Sequence, residues 1–221
     1  MATILLARHG ETDWNREHRW QGHTDRPLTA RGREQARALA RRLAEIRLEA
    51  VYTSDLMRAR DTAASVAERQ GLDVRTMSEL REVDVGSWAG LTKSEAEVRF
   101  PEAFRRWQLG DTGWQDGETY EEMSERVLAA IGRIASEHPN GPVLVVSHGG
   151  SIRAIHAAAL GLDVHAYRRL RPVEPNARLS AVCVVDGRLT ELCSAGDIDR
   201  LVARDRDERI AAARQPPTPA G

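Results

Sequence analysis

Two apolar runs, Ile4-Leu5-Leu6-Ala7 and Val143-Leu144-Val145-Val146, each lead into a polar residue, a histidine and a glycine: Arg8-His9-Gly10 in one, Ser147-His148-Gly149-Gly150 in the other. Such short, unbroken apolar runs read as strands buried on both faces, which demands a sheet covered on both sides. The rest of the chain alternates accordingly. Ala30 to Ile46 carries Ala36, Leu39, Ala40 and Leu43 at helical spacing, and Ala50 to Thr53 reads as a strand. Leu56 to Arg69 presents Leu56, Ala59, Ala63, Val66 and Ala67 on one helical face, and Asp73 to Met77 fits a short strand. Thr92 to Leu109 reads as a helical pair broken at Pro101, followed by a loop from Gly110 to Gly117. Thr119 with Glu122 has capping-box form and opens a long helix through Val127, Leu128, Ile131 and Ile134. Gly149 to Leu160 reads as a helix, and Leu179 to Asp186 with Arg188 to Cys193 as a hairpin. This alternation predicts an α/β fold: a three-layer α/β/α sandwich with a mostly parallel sheet. We expect one domain over residues 1–196, with a cap-like insertion at about 87–118. Residues 197–221 are expected to form a charged, then Pro-rich tail with a disordered end.

Composition narrows the partners. The net charge of −1 provides no global field for nucleic acid or an anionic membrane. No apolar stretch approaches the roughly 20 residues of a membrane helix, and Met1 to Arg8 lacks the pattern of a secretory leader. The expectation is a cytoplasmic protein with no nucleic-acid or membrane partner, and a homodimer as the assembly considered. A two-residue turn at Asp186-Gly187 pairs Cys183 with Thr190 and Cys193 with Ser180, which puts the two sulfurs on opposite faces and argues against a disulfide. Lys93 is the only lysine, so 31 of 32 basic residues are arginine. An arginine here needs a special setting before it means anything.

Both histidines fall just beyond the carboxyl ends of strands, where ligands bind in open parallel sheets, and the following glycines let the backbone approach a ligand. One such histidine is weak evidence; two in matching positions point to a site. A phosphoryl group needs cations around its oxygens and an in-line nucleophile. Arg8 offers a planar fork, and Arg58, at the start of the helix after Ser54-Asp55-Leu56, reaches the same rim; Arg60 points elsewhere. Nearby cations would keep His9 neutral and nucleophilic, whereas His148 is useful protonated, as a donor to phosphoryl oxygens. A carboxyl must serve the leaving oxygen and the incoming water. In Leu80-Arg81-Glu82-Val83-Asp84 the residues alone leave Glu82 and Asp84 equal.

These segments resemble the histidine phosphatase (phosphoglycerate mutase-like) superfamily. The resemblance runs in order from residue 3 to about residue 193: Arg8-His9-Gly10-Glu11-Thr12, Ser54-Asp55-Leu56-Met57-Arg58-Ala59 with Thr62-Ala63, Leu80-Arg81-Glu82 with Gly86-Ser87-Trp88, and Ser147-His148-Gly149-Gly150. It implies that His9 is the phosphorylated nucleophile, that Arg8, Arg58 and His148 form the phosphate pocket, and that Glu82 is the proton donor. It also implies substrate contacts from Asn15, Gln21, Gly22 and Gly149, with Thr24 to Thr29 closing the pocket. No metal or organic cofactor is implied. Glu118-Thr119 resembles a family element near the site, although helix capping alone explains it, and Asn176 matches an asparagine before the last strands.

Within the superfamily, the mutases usually carry a longer stretch between the acid and the second histidine, with a basic segment that grips the substrate carboxylate. Glu82 and His148 are only 66 positions apart, and Arg105-Arg106 is the nearest basic candidate. The expected function is hydrolysis of a small phosphorylated metabolite. A bisphosphoglycerate-dependent phosphoglycerate mutase is the alternative, and a non-catalytic phosphate-binding module is more remote. An α/β-hydrolase reading of His148-Gly149-Gly150 fails because no Gly-x-Ser-x-Gly elbow is present. Trp14, Trp20, Trp88, Trp107 and Trp114 surround the expected pocket, more as packing anchors than as a substrate wall. His18, His23, His138, His156 and His165 lack metal-ligand spacing and read as surface residues.

Overall fold

The computed structural model describes residues 2–191. Its strands and helices follow in the order β1 (Ala2–Arg8), α1 (Asp13–Arg16), α2 (Ala30–Arg42), β2 (Ala50–Thr53), α3 (Met57–Gln70), β3 (Val74–Thr76), α4 (Lys93–Arg99), α5 (Pro101–Gln108), α6 (Tyr120–Glu137), β4 (Pro142–Ser147), α7 (Gly149–Ala159), α8 (Val164–Leu170), β5 (Leu179–Val185) and β6 (Arg188–Glu191). The sheet order is β3-β2-β4-β1-β5-β6. The first four strands in that order run parallel, while β5 and β6 add an antiparallel edge.

Period-two alternation along the two apolar runs feeds two cores. Ile4, Leu6, Val143 and Val145 face a layer containing Met123, Val127 and Ile131 of α6 and Ile152 and Ile155 of α7. Leu5, Ala7, Leu144 and Val146 face Leu39 and Ala40 of α2 and Ala59, Ala63 and Val66 of α3. The result is the three-layer sandwich. Because β1 lies beside β4 while the helices that follow them, α2 and α7, cover opposite faces, a crevice opens between their carboxyl ends. In the β1–β4 register Arg8 lies opposite Ser147, so the chain delivers His9 and His148 to adjacent positions in that crevice.

Several details differ from the expectation. Helix α2 stops at Arg42 rather than continuing to Ile46, because the chain tightens into turns and the Gln70 side-chain amide donates to the Leu43 and Ile46 carbonyls at 2.7 and 2.9 Å. Helices α1 and α8 are additional; each is short and opened by a side-chain cap, from Thr12 and Asp163 respectively. Strand β3 is shorter than Asp73 to Met77. Cys183 sits opposite Thr190 as expected, whereas Cys193 and the 197–221 tail lie outside the described residues. No described helix is long and apolar enough to cross a membrane.

The segment from Gly86 to Gly117 carries α4 and α5 and is held by aromatic packing. Trp88 is almost fully buried and contacts Trp20, Phe100, Phe104, Trp107 and Trp114 at ring-centroid distances of 4.9–6.5 Å. Trp14 packs apart from them, under Gly90 and beneath the Arg26 guanidinium. Four of the five tryptophans thus anchor this segment. Two of them, Trp20 and Trp114, also reach the candidate site.

Candidate active site

A cavity of about 180 Å³ opens at the strand ends, lined by Arg8, His9, Gln21, Gly22, Arg58 and Glu82 among others. His9 is held by its neighbours. Its backbone N–H donates to Ser147 O at 3.0 Å, and its carbonyl accepts from Asn176 Nδ2 at 3.0 Å. Its Nδ1 lies 2.7 Å from the Gly10 carbonyl. A carbonyl can only accept, so Nδ1 carries the proton and Nε2 the lone pair. Burial first, then the Arg58 and Arg8 guanidiniums, push the His9 pKa well below its ordinary value. The ring is therefore a neutral, oriented nucleophile at neutral pH.

The glycines after the histidines also make room for neighbouring protein groups, and Gly150 lines the cavity. A Cβ on Gly10 would stand 2.5 Å from the Gly32 carbonyl oxygen, and one on Gly149 would stand 2.6 Å from Val173 Cγ1. A Cβ on Gly150 would stand 2.2 Å from Glu82 Oε1. Gly150 thus admits the candidate acid.

Arg8 donates through Nη1 to Glu174 O at 2.6 Å. Arg58 is held by the Gly22 and Thr24 carbonyls at 2.9 and 3.0 Å. The Nε atoms of both arginines, and both ring nitrogens of His148, are buried with no protein partner. Buried donors without partners concentrated at one place are the mark of a polar ligand site. Burial and like charge lower both arginine pKa values, that of Arg58 to about 10, which leaves both cationic. His148 lies behind His9, with ring centroids 5.2 Å apart. Burial, Arg58, His9 and Arg8 push its pKa well below the ordinary value, so it is neutral here, contrary to the expectation of an imidazolium. A neutral ring still offers one N–H donor, and an arriving anion would favour its protonation.

The carboxyl ambiguity is resolved by geometry. Glu82 lines the cavity, where its oxygens accept the Gly150 N–H at 3.0 and 3.1 Å and Oε1 accepts the Val83 N–H at 3.1 Å. Asp84 turns away to accept the Gly86 N–H at 3.0 Å. The other sequence candidates separate. Gln21 and Gly22 line the cavity, His148 and Gly149 lie beside it against His9 and Arg8, and Asn15 is set further back. Asn15 accepts from Thr12 and from Asn176 Nδ2, behind the His9 loop. Thr119 caps α6, as capping alone predicted. His156 is buried against Ser180 and His138 is largely covered, so these two are not the surface residues expected.

The sequence reading missed three contributors. Tyr120 and Arg153 line the cavity. Arg126 is the third, and it does not line the cavity but holds the Glu82 segment. It donates to the carbonyls of Glu79, Arg81 and Glu82, each at 2.8 Å, while gripping Glu118 bidentately at 2.5 and 2.6 Å. Ser147 and Ser151 hold the Leu80 and Arg81 carbonyls at 2.7 Å, and His23 lies 2.8 Å from the Glu82 carbonyl. Arg126→Met is expected to lower kcat by about 10–100-fold, the usual scale for a misplaced catalytic group. The loss should grow as the leaving group becomes poorer. An equal loss for all leaving groups would indicate general destabilisation instead.

The family profile "Histidine phosphatase superfamily (branch 1)" matches residues 4–194. The chain belongs to that superfamily. It is 36% identical over 169 residues to phosphoserine phosphatase 1 of Hydrogenobacter thermophilus, covering 76% of this chain and 80% of that protein. It is also 36% identical over 219 residues to the probable phosphoglycerate mutase GpmB of Salmonella arizonae, covering 94% and 99% respectively. A mycobacterial glucosyl-3-phosphoglycerate phosphatase, solved with VO3, superposes with a TM-score of 0.77 at 32% identity, covering 87% of this chain and 98% of that one.

Proposed function

We infer that this histidine phosphatase hydrolyses a small phosphorylated metabolite through a phosphohistidine at Nε2 of His9. The observation that carries the reading is the His9 ring itself: neutral, with Nδ1 engaged by Gly10 and Nε2 left as the base, beside two arginines whose Nε atoms lack protein partners. In the first step Nε2 attacks phosphorus and the bond from phosphorus to the ester oxygen breaks. Glu82, protonated, gives its proton to the departing oxygen. In the second step water attacks the phosphohistidine, its proton passes to the Glu82 carboxylate, and the P–N bond breaks to release phosphate. Arg8, Arg58 and a His148 N–H stabilise the charge on the equatorial oxygens in both steps. No other group is needed, since each proton given is recovered.

Hydrolysis is favoured over mutase chemistry by the short stretch between Glu82 and His148 and by the position of Arg105-Arg106, the basic pair within it. Arg105 is exposed on α5, and Arg106 lies by Asp111 and lines a separate outer cavity with Trp88 and Phe100, away from His9. Supplied with 3-phosphoglycerate, with and without a bisphosphorylated primer, the enzyme is expected to release phosphate in both cases. Rapid, primer-dependent formation of 2-phosphoglycerate would overturn this reading. A cytoplasmic setting is part of the proposal, supported by the free, buried Cys183 thiol.

A further inference from the structure

Arginines are abundant here, and their partners sort them. Arg19, Arg26, Arg81, Arg126 and Arg133 all engage carboxylates. Arg153, on α7, lines the same cavity as His9, yet has no ion-pair partner among the described residues. Its Nε is buried with no hydrogen-bond partner, and one Nη is fixed by the Arg171 carbonyl at 2.9 Å. Desolvation first and neighbouring Arg168 second lower its pKa, only partly opposed by Glu82, and Arg153 in turn depresses Arg8. Arg168 cannot relieve the site, because it is committed to the face of Tyr120 at 3.8 Å. A partly desolvated, oriented and unpaired guanidinium is costly to maintain unless an anion meets it.

Charge counting indicates what that anion is. Arg8, Arg58 and Arg153 place three guanidiniums on the cavity wall that form no ion pair among the described residues, while Arg19, also on the wall, is paired with Glu17 and Glu95. Glu82 is the only carboxyl residue among the lining groups, and it is neutral when it carries the proton it donates. A phosphoryl dianion balances two of the three cations. One positive charge remains, and Arg153 supplies it. Apart from Gln21, the rest of the wall is mostly apolar or aromatic, with Val83, Val85, Trp114 and Tyr120, so Glu82 is the one protein carboxyl that faces these cations from the wall.

We propose that Arg153 is a specificity-determining residue that binds a carboxylate on the substrate a few bonds from the ester oxygen, so that the preferred substrates are small phosphorylated carboxylic acids. This rests on the assignment of Arg8, His9 and Arg58 as the phosphoryl pocket. A pair of non-hydrolysable ligands tests both levels without turnover: 3-phosphonopropionate, which carries a carboxylate, and propylphosphonate, which does not. By calorimetric titration of the full chain, 3-phosphonopropionate is expected to bind about tenfold or more tightly, the scale of a charge-assisted hydrogen-bonded pair. In Arg153→Met the ratio should collapse toward one, and Arg153→Lys should retain part of it. Equal binding of the two ligands by the unaltered protein would overturn the proposal without any variant, as would an unchanged ratio in folded Arg153→Met. Binding of neither ligand would overturn the phosphoryl pocket itself, and the proposal with it.

Discussion

Replacing His9 with alanine is expected to reduce phosphomonoester hydrolysis by about 10⁴-fold or more, the scale seen when a covalent nucleophile is deleted. The loss should fall on kcat, because Arg8, Arg58 and His148 still hold the phosphoryl group. Circular dichroism would confirm that the variant folds. The hydrogen-bond geometry makes a sharper statement than loss of activity. Since Nδ1 donates to the Gly10 carbonyl, the phosphoryl group must reside on Nε2. A quenched reaction, kept away from acid and compared with the two phosphohistidine isomers, should yield the Nε2 isomer alone. The Nδ1 isomer, or normal turnover by His9→Ala, would refute the mechanism. The pH profile carries the same signature. Burial and the arginines depress the His9 pKa, so the neutral ring persists as pH falls through 6.5. The acidic limb of kcat/KM attributable to His9 should therefore lie well below that of an ordinary histidine. A limb at the ordinary histidine value would show that this environment is absent in solution.

The same features mark the limits of what the sequence discloses. His9 and His148 are legible because a strand end is a local pattern: four apolar residues, a polar one, then the histidine. Arg58 is legible because it follows another strand end closely. The choice of Glu82 over Asp84 is not, because neighbours two apart in an extended segment point the same way. It is decided by Gly150, 68 positions later, whose missing side chain admits the carboxylate and whose N–H holds it. Arg126 and Arg153 carry no local signal at all. In a chain with 31 arginines, one on a helix reads as solvated, and only tertiary contacts show which are clamped or left unpaired. The neutral state of His148 is hidden for a related reason. Its protonation depends on burial and on two guanidiniums from other strands and helices. The fold was more legible than the site. Buried strands and amphipathic helices are repeating patterns, whereas α8 is a single short helix whose only advance notice is Gly161 and the Asp163 cap.

Glu82→Gln removes the transferable proton while keeping an acceptor oxygen for the Val83 and Gly150 N–H groups, so the loop should stay in place. Its expected effect depends on the ester. With an alkyl phosphate, whose alkoxide is a poor leaving group, kcat should fall by about 10²–10⁴-fold, the range for lost general-acid catalysis. With p-nitrophenyl phosphate the departing phenolate needs little proton donation, so the fall should be much smaller until dephosphorylation becomes limiting. A plot of log kcat against leaving-group basicity should therefore steepen in the variant; an unchanged slope would remove Glu82 from the acid role. Arg126 can be tested against the same slope. If it acts by positioning Glu82, then Arg126→Met steepens the plot alone but adds no further steepening in the Glu82→Gln background. If instead it only supports the fold, its effect multiplies that of Glu82→Gln at every leaving group. The two outcomes separate a residue that holds the acid from one that merely holds the protein together.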